Sequence, residues 1–176
     1  MAKEQITKFR WFWAWQDEAE ERWLGEMSRK GFHLQSVGIP GIYTFLSAEP
    51  RLYVYRMDYQ NFTKKDKKEY LQLFRDAGWE HVGEISAWQY FRKELKPGEV
   101  NEIYTDIESR IAKYRRALAF MGFMILLLIA IFGGQIINES PGVWWGGIKI
   151  FYLVVILLLV FAIIKLSLKI KRLKRS

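Results

Sequence analysis

The sequence contains no cysteine, two histidines and four prolines in 176 residues. Without cysteine there is no disulfide, no thiolate metal ligand and no thiol nucleophile. Two histidines, His33 and His81, fall short of the three or four donors that a metal centre needs. Phosphate-binding glycine loops, G-x-S-x-G elbows and metal-ligand spacings are missing as well. Asp58 in RMDY and Asp76 in RDAGW are the carboxylates to weigh as an acid pair. Local capping and pairing with Arg56 or Arg75 account for them more simply. The sequence therefore predicts no catalytic residue, no metal ligand and no cofactor.

Charge is missing from two long stretches. Residues 117–137 (ALAFMGFMILLLIAIFGGQII) carry none, and residues 144–164 (WWGGIKIFYLVVILLLVFAII) carry only Lys149. About 20 apolar residues suffice for a helix to cross a bilayer. Arg110, Lys113, Arg115 and Arg116 precede the first run, and Lys165, Lys169, Lys171, Arg172, Lys174 and Arg175 follow or close the second. The link between them has no basic residue. Basic flanks stay on the cytoplasmic side, so the expectation is a two-span cell-membrane protein with both termini in the cytoplasm. Neither run is N-terminal, so neither reads as a cleavable signal. Of the formal charge of +8, six units belong to residues 117–176, and the near-neutral remainder speaks against nucleic acid as a partner.

A different kind of pattern fills residues 1–98. WLGEMSRKGFHLQ (23–35) aligns without a gap on YLQLFRDAGWEHV (70–82). Trp23 matches Tyr70, Leu24 matches Leu71, Met27 matches Phe74, Gly31 matches Gly78 and Phe32 matches Trp79. Each copy reads as an amphipathic helix stopped by a glycine, Gly31 or Gly78, that accepts the left-handed conformation. In the first copy Asp17 and Glu20 resemble a capping box, and in the second Thr63 is the cap. Strand-like runs flank each helix, ITKFRWFWAW and GIYTFLS around the first, RLYVYRMDYQ and SAWQYFRK around the second. A repeated strand–helix–strand unit predicts an α+β, ferredoxin-like domain, with two helices on one face of a four-stranded antiparallel sheet. Residues 99–116 then read as an amphipathic connecting helix striped by Val100, Ile103, Ile107 and Ile111, and residues 117–176 as the membrane hairpin with a basic tail.

Two features resist a purely structural account. Phe9, Trp11, Trp13 and Trp15 alternate on the first strand-like run, and Tyr53, Tyr55, Met57 and Tyr59 on the third. If these rows face away from the helices, Trp11, Trp13, Tyr53 and Tyr55 form an open aromatic surface for a partner. Lys64, Lys65, Lys67 and Lys68 crowd a helix start, where the macrodipole disfavours them. They suit an anionic lipid or an acidic partner.

Through WLGEMSRKGFHL, YVYRMDY, EYLQLFRDAGW and WQYFRK the chain resembles a bacterial domain-of-unknown-function family catalogued as twenty-eight twelve. That resemblance covers about residues 8–95. It implies an N-terminal domain joined to membrane helices and, because some relatives are encoded beside PadR-like transcriptional regulators, a regulatory role. The expected function is a membrane-tethered cytoplasmic interaction or sensing domain without catalysis. The expected partners are the bilayer, a protein such as a regulator, or a second copy of the chain. Alternative readings are a single-stranded RNA-binding module, with bases stacked on an aromatic sheet, and an enzyme of unknown type using Asp58, Asp76 or a histidine.

Overall fold

A shift of 47 residues carries one helix of the domain onto the other, end for end, from Asp17–Arg29 to Lys64–Asp76. The structure, a computed structural model, describes residues 4–62, 64–137 and 143–175. Its first copy runs β1 (Gln5–Phe9), α1 (Asp17–Arg29), β2 (Phe32–Gly38) and β3 (Ile42–Ser47). The second runs β4 (Tyr53–Tyr59), α2 (Lys64–Asp76), β5 (Glu80–Ile85) and β6 (Trp88–Glu94). Gly31 and Gly78 follow their helices with φ of 84° and 82°. At the end of α2 the Trp79 N–H donates to Phe74 O and the Gly78 N–H to Arg75 O, both at 2.9 Å, the paired bonds of a Schellman ending. Thr63 lies outside the described residues.

The α+β domain is thus a duplication, with one strand more per copy than the strand–helix–strand reading supplies. The ladders close inside each copy. β3 pairs with both β1 and β2, and β6 with both β4 and β5, all antiparallel. Two three-stranded sheets therefore stand where the ferredoxin-like pattern has a single four-stranded one. β1 and β2 both run opposite to β3, so they are parallel to each other, as a strand–helix–strand crossover requires. The extra strands are β2 and β5, FHLQSVG and EHVGEI, whose His, Gln, Ser and Gly hide them from a propensity reading. β2 and β5 run beside each other where the two sheets meet.

One core serves both copies. Trp23, Leu24 and Met27 from α1 pack with Leu34 of β2, Tyr43 and Phe45 of β3, Tyr55 and Met57 of β4, and Tyr90 of β6. α1 lies along β4 on the side that β6 leaves unpaired. There the Met57 N–H donates to Glu21 Oε1 at 2.8 Å, and the Arg51 N–H donates to Ser28 O at 3.1 Å.

Beyond β6, residues 96–106 form no regular element and are strapped to the domain. Glu99 meets Lys93 at 3.0 Å, and Glu102 takes a forked bond from Arg56 at 2.6 and 3.0 Å. The Tyr104 hydroxyl donates to Asp58. Asp106 then caps α3 (Ile107–Ile137) by accepting the Ser109 N–H at 2.7 Å. The helix expected from residue 99 starts at Ile107 instead, because the strap's bonds hold Val100 and Ile103 in irregular chain. The connecting helix and the first apolar run form one helix.

The chain divides into two compact units, Met1–Ser109 and Arg110–Ser176. The second contains most of α3 together with α4 (Val143–Leu173). Ile107–Gly133 and Gly146–Leu173 are long and apolar enough to cross a membrane, with mean hydropathies of 2.3 and 2.9. Only 6% of each most apolar window is buried within the protein. Two contacts fix the hairpin's register. Lys169 lies 4.8 Å over the Tyr114 ring, and the Phe132 and Tyr152 rings are 5.9 Å apart. They are separated by 18 residues on α3, about 27 Å of helix rise, close to one hydrocarbon thickness.

Candidate functional site

β1 ends at Phe9, and the aromatic run continues as irregular chain to α1. That segment is pinned at both ends. The Arg10 N–H donates to Gly41 O at 2.9 Å, and Trp13 and Gln16 close a turn in which the Gln16 N–H donates to Trp13 O at 2.7 Å. The Trp13 and Trp15 rings stack at 5.2 Å, and Trp11 meets Trp13 edge to face at 5.5 Å. Trp11 and Trp13 thereby form one wall of a cavity of about 260 Å³. Trp88 and Tyr90 of β6, Tyr43 of β3 and Met57 of β4 line the rest, with Asp17 and Glu20 of α1. Among the described residues, no lysine, arginine or histidine lines it.

The two acids are the unexpected part. Gln16, not Asp17, occupies the cap position of α1 and makes no side-chain cap bond, so the capping box does not form. Asp17 and Glu20 instead point inward, 1% and 5% exposed. The Tyr43 and Tyr90 hydroxyls both donate to Glu20 Oε1, each at 2.7 Å. Burial pushes the Glu20 carboxyl above the usual carboxylate range; the two phenols oppose that shift and the Asp17 charge adds to it. Burial and the neighbouring carboxylate push both phenols up, so they remain protonated donors. A buried carboxylate is costly unless it is paired. Among the described residues Glu20 has phenols but no cation for company.

A second, open cavity of about 770 Å³ lies where β2 meets β5, and it brings His33 and His81 to one place. His33 Nε2 donates to Glu49 O at 2.8 Å, which leaves Nδ1 as the acceptor nitrogen, buried and without a hydrogen-bond partner. His81 bonds Gln89 at 3.0 Å, and burial holds its pKa below the ordinary histidine value. Arg92 is forked onto Glu80, both contacts at 2.7 Å, and lies 4.9 Å over the Tyr53 ring. The cavity is polar, and both of its arginines are paired, Arg92 with Glu80 and Arg51 with Glu94 at 3.8 Å.

The sequence-predicted aromatic surface is therefore divided. β1 and β4 belong to different sheets, so their rows cannot merge. Trp11 and Trp13 line the apolar cavity, Tyr53 lines the polar one, and Tyr55 is core at 1% exposure. Tyr55, Met57 and Tyr59 are all buried, so β4 offers no open stacking platform of the kind RNA would use. Asp58 and Asp76 have separate partners, Tyr70 and Tyr104 for the first and Gln72 for the second. Lys67 is engaged with Glu84 at 2.6 Å, and Lys68 is exposed. The side chains of Lys64 and Lys65 lie outside the described residues. Asp17, Glu20 and Glu21 were not among the sequence-predicted site residues, although a signal for them exists. Stepping back from Leu24 at helical spacing reaches all three, on the stripe that α1 buries.

Neither the curated proteins nor the solved structures contain a match to the chain. A family model described as "Protein of unknown function (DUF2812)" matches residues 16–126, from the start of α1 through the strap and into α3. With well over half its length matched, the chain belongs to the DUF2812 family.

Proposed function

We propose that the chain is a membrane-anchored, non-catalytic sensing and interaction module, with its N-terminal unit in the cytoplasm and α3 and α4 crossing the cell membrane. The membrane part rests on two long apolar helices that bury little of their surface inside the protein. Large exposed residues such as Phe123, Leu126, Ile150 and Phe151 need a lipid environment to be tolerated. The orientation rests on the basic flanks.

The observation that carries the sensing reading is a continuous run of contacts from the apolar cavity to the strap. Glu20 lines the cavity, and Glu21 beside it accepts the Met57 N–H and lies 3.6 Å from Arg56. Arg56 in turn grips Glu102 on the strap that opens into α3. An occupant that shifts the start of α1 would act on a bidentate charged pair, the kind of bond whose geometry matters most. The output would be read by a protein partner in the cytoplasm. The family resemblance suggests a PadR-like transcriptional regulator for that role.

The test is hydrogen exchange across residues 96–106 of the full chain in lipid nanodiscs. A compound that quenches cavity tryptophan fluorescence should change exchange in the strap, and Arg56→Ala should abolish the change. A filled cavity with unaltered strap exchange would overturn the sensing reading.

A further inference from the structure

Ten of the eleven basic residues in 110–176 stand in two short segments, 110–116 and 165–175, and the one acid, Glu139, belongs to the link between the helices. The fold brings the two segments together. Lys169 of α4 lies over the Tyr114 ring of α3, so the start of one helix and the end of the other form a single basic end of the hairpin. Arg115, Lys165, Lys171, Arg172, Lys174 and Arg175 are exposed there, and none of the six makes an ion pair among the described residues. In the N-terminal unit, by contrast, Arg51, Arg56, Lys67, Arg92, Lys93 and Lys96 all have carboxylate partners. The dipole of α4 favours Lys171 and Arg172 in its last turn, but it does not explain Arg115 or Lys165.

The apolar run of α4 stops at Ile164, and Lys165 follows it directly. From Lys165 to Arg172 the helix rises about 10 Å. The head-group layer on each side of the hydrocarbon is about 5–8 Å deep. Arg115 and Lys165 therefore stand at the level of lipid phosphates, and Lys171 to Arg175 just beyond it, inside a Debye length of about 8 Å. We propose, on the reading that α3 and α4 cross the membrane, that this end of the hairpin is a docking surface for anionic phospholipids. Their phosphodiester groups supply the counter-charge that the described residues of the hairpin do not contain. A zwitterionic head group brings its own ammonium and neutralises nothing. An acidic protein could reach the four outermost residues from solvent, but not Lys165 at the edge of the hydrocarbon.

The experiment places the full chain in phosphatidylcholine bilayers with a trace of spin-labelled phosphatidylglycerol or spin-labelled phosphatidylcholine. Electron spin resonance reads the protein-bound fraction of each label. Phosphatidylglycerol should be favoured about twofold or more at low salt, and the preference should fall toward parity at about 1 M salt, where the Debye length is about 3 Å. Lys171→Gln, Arg172→Gln, Lys174→Gln and Arg175→Gln combined alter only exposed side chains and should remove most of the preference. Arg29→Gln with Lys30→Gln, at exposed cations of the N-terminal unit, should leave it unchanged. An equal loss there would make the preference one of net charge and overturn the docking surface. Equal binding of the two lipids at low salt, or an undiminished preference in the fourfold variant, would overturn it as well. Inorganic phosphate should act no differently from chloride at matched ionic strength. If it selectively abolished the preference, the site would be one for soluble phosphate and the lipid assignment would fall. No bound fraction of either lipid would refute the membrane reading itself, whereas bound lipid without selectivity refutes the docking surface alone.

Discussion

Gly31 and Gly78 share a backbone conformation but not a neighbourhood. A Cβ on Gly31 would stand 2.5 Å from the Ala48 carbonyl oxygen, whereas one on Gly78 would meet only the flexible end of Lys93 at 3.4 Å. Gly78→Ala should cost about 1–2 kcal/mol, the left-handed penalty alone. Gly31→Ala should cost distinctly more, and thermal melts of the two variants in nanodiscs check the order. Glu20 gives a prediction of opposite chemistry. Its folded pKa is raised, so the folded state holds that proton more tightly than the unfolded chain does. Its contribution to stability is full at acid pH and is lost as pH rises from the ordinary carboxylate range through the raised value. Wild type should therefore lose stability relative to Glu20→Gln as pH rises above the ordinary carboxylate range toward neutrality. A flat difference in melting temperature over that range would refute this. Both glycines were readable from the sequence, because a helix stop is local. The fate of Asp17 and Glu20 was not, because acids in a first helical turn suit the macrodipole equally well when solvated.

Among the elements, α1 has a double task, filling the core and closing the open side of β4. Glu21 carries the second task through its bond to the Met57 N–H. Glu21→Ala should leave a buried donor unsatisfied and cost about 1–3 kcal/mol, whereas Glu21→Gln keeps an acceptor in place and should cost less. Denaturant titration of both variants distinguishes this from a general effect of lost charge, which would make their costs equal. The two helices and four of the six strands were legible as periodic runs bounded by turn residues. β2 and β5 were not, since each starts within a residue or two of a glycine stop and β5 turns into β6 through Ser86 and Ala87 without a glycine. The strap was misread because an apolar stripe at helical spacing does not reveal that Glu102 and Tyr104 have distant partners.

At the scale of the whole molecule, the proposed topology makes a direct claim. Cytoplasmic reporters fused before residue 1 or after residue 176 should be active, and an external reporter should work only near residue 140. External activity at the C-terminus would remove the two-span arrangement. The apolar half was legible because hydropathy is summed over many residues, while the cavity depends on side chains from both copies and has no signature in either. The duplication is also asymmetric in charge. Shifted by 47 residues, Asp17, Glu20 and Glu21 land on Lys64, Lys67 and Lys68, so the two helices carry inverted charge at equivalent places. Lys67 uses its charge internally, on Glu84. A homodimer of identical halves would show the same charge twice. This pseudo-dimer on one chain shows acid on one helix start and base on the other, so its two halves are unlike surfaces, and each is free to diverge toward its own task.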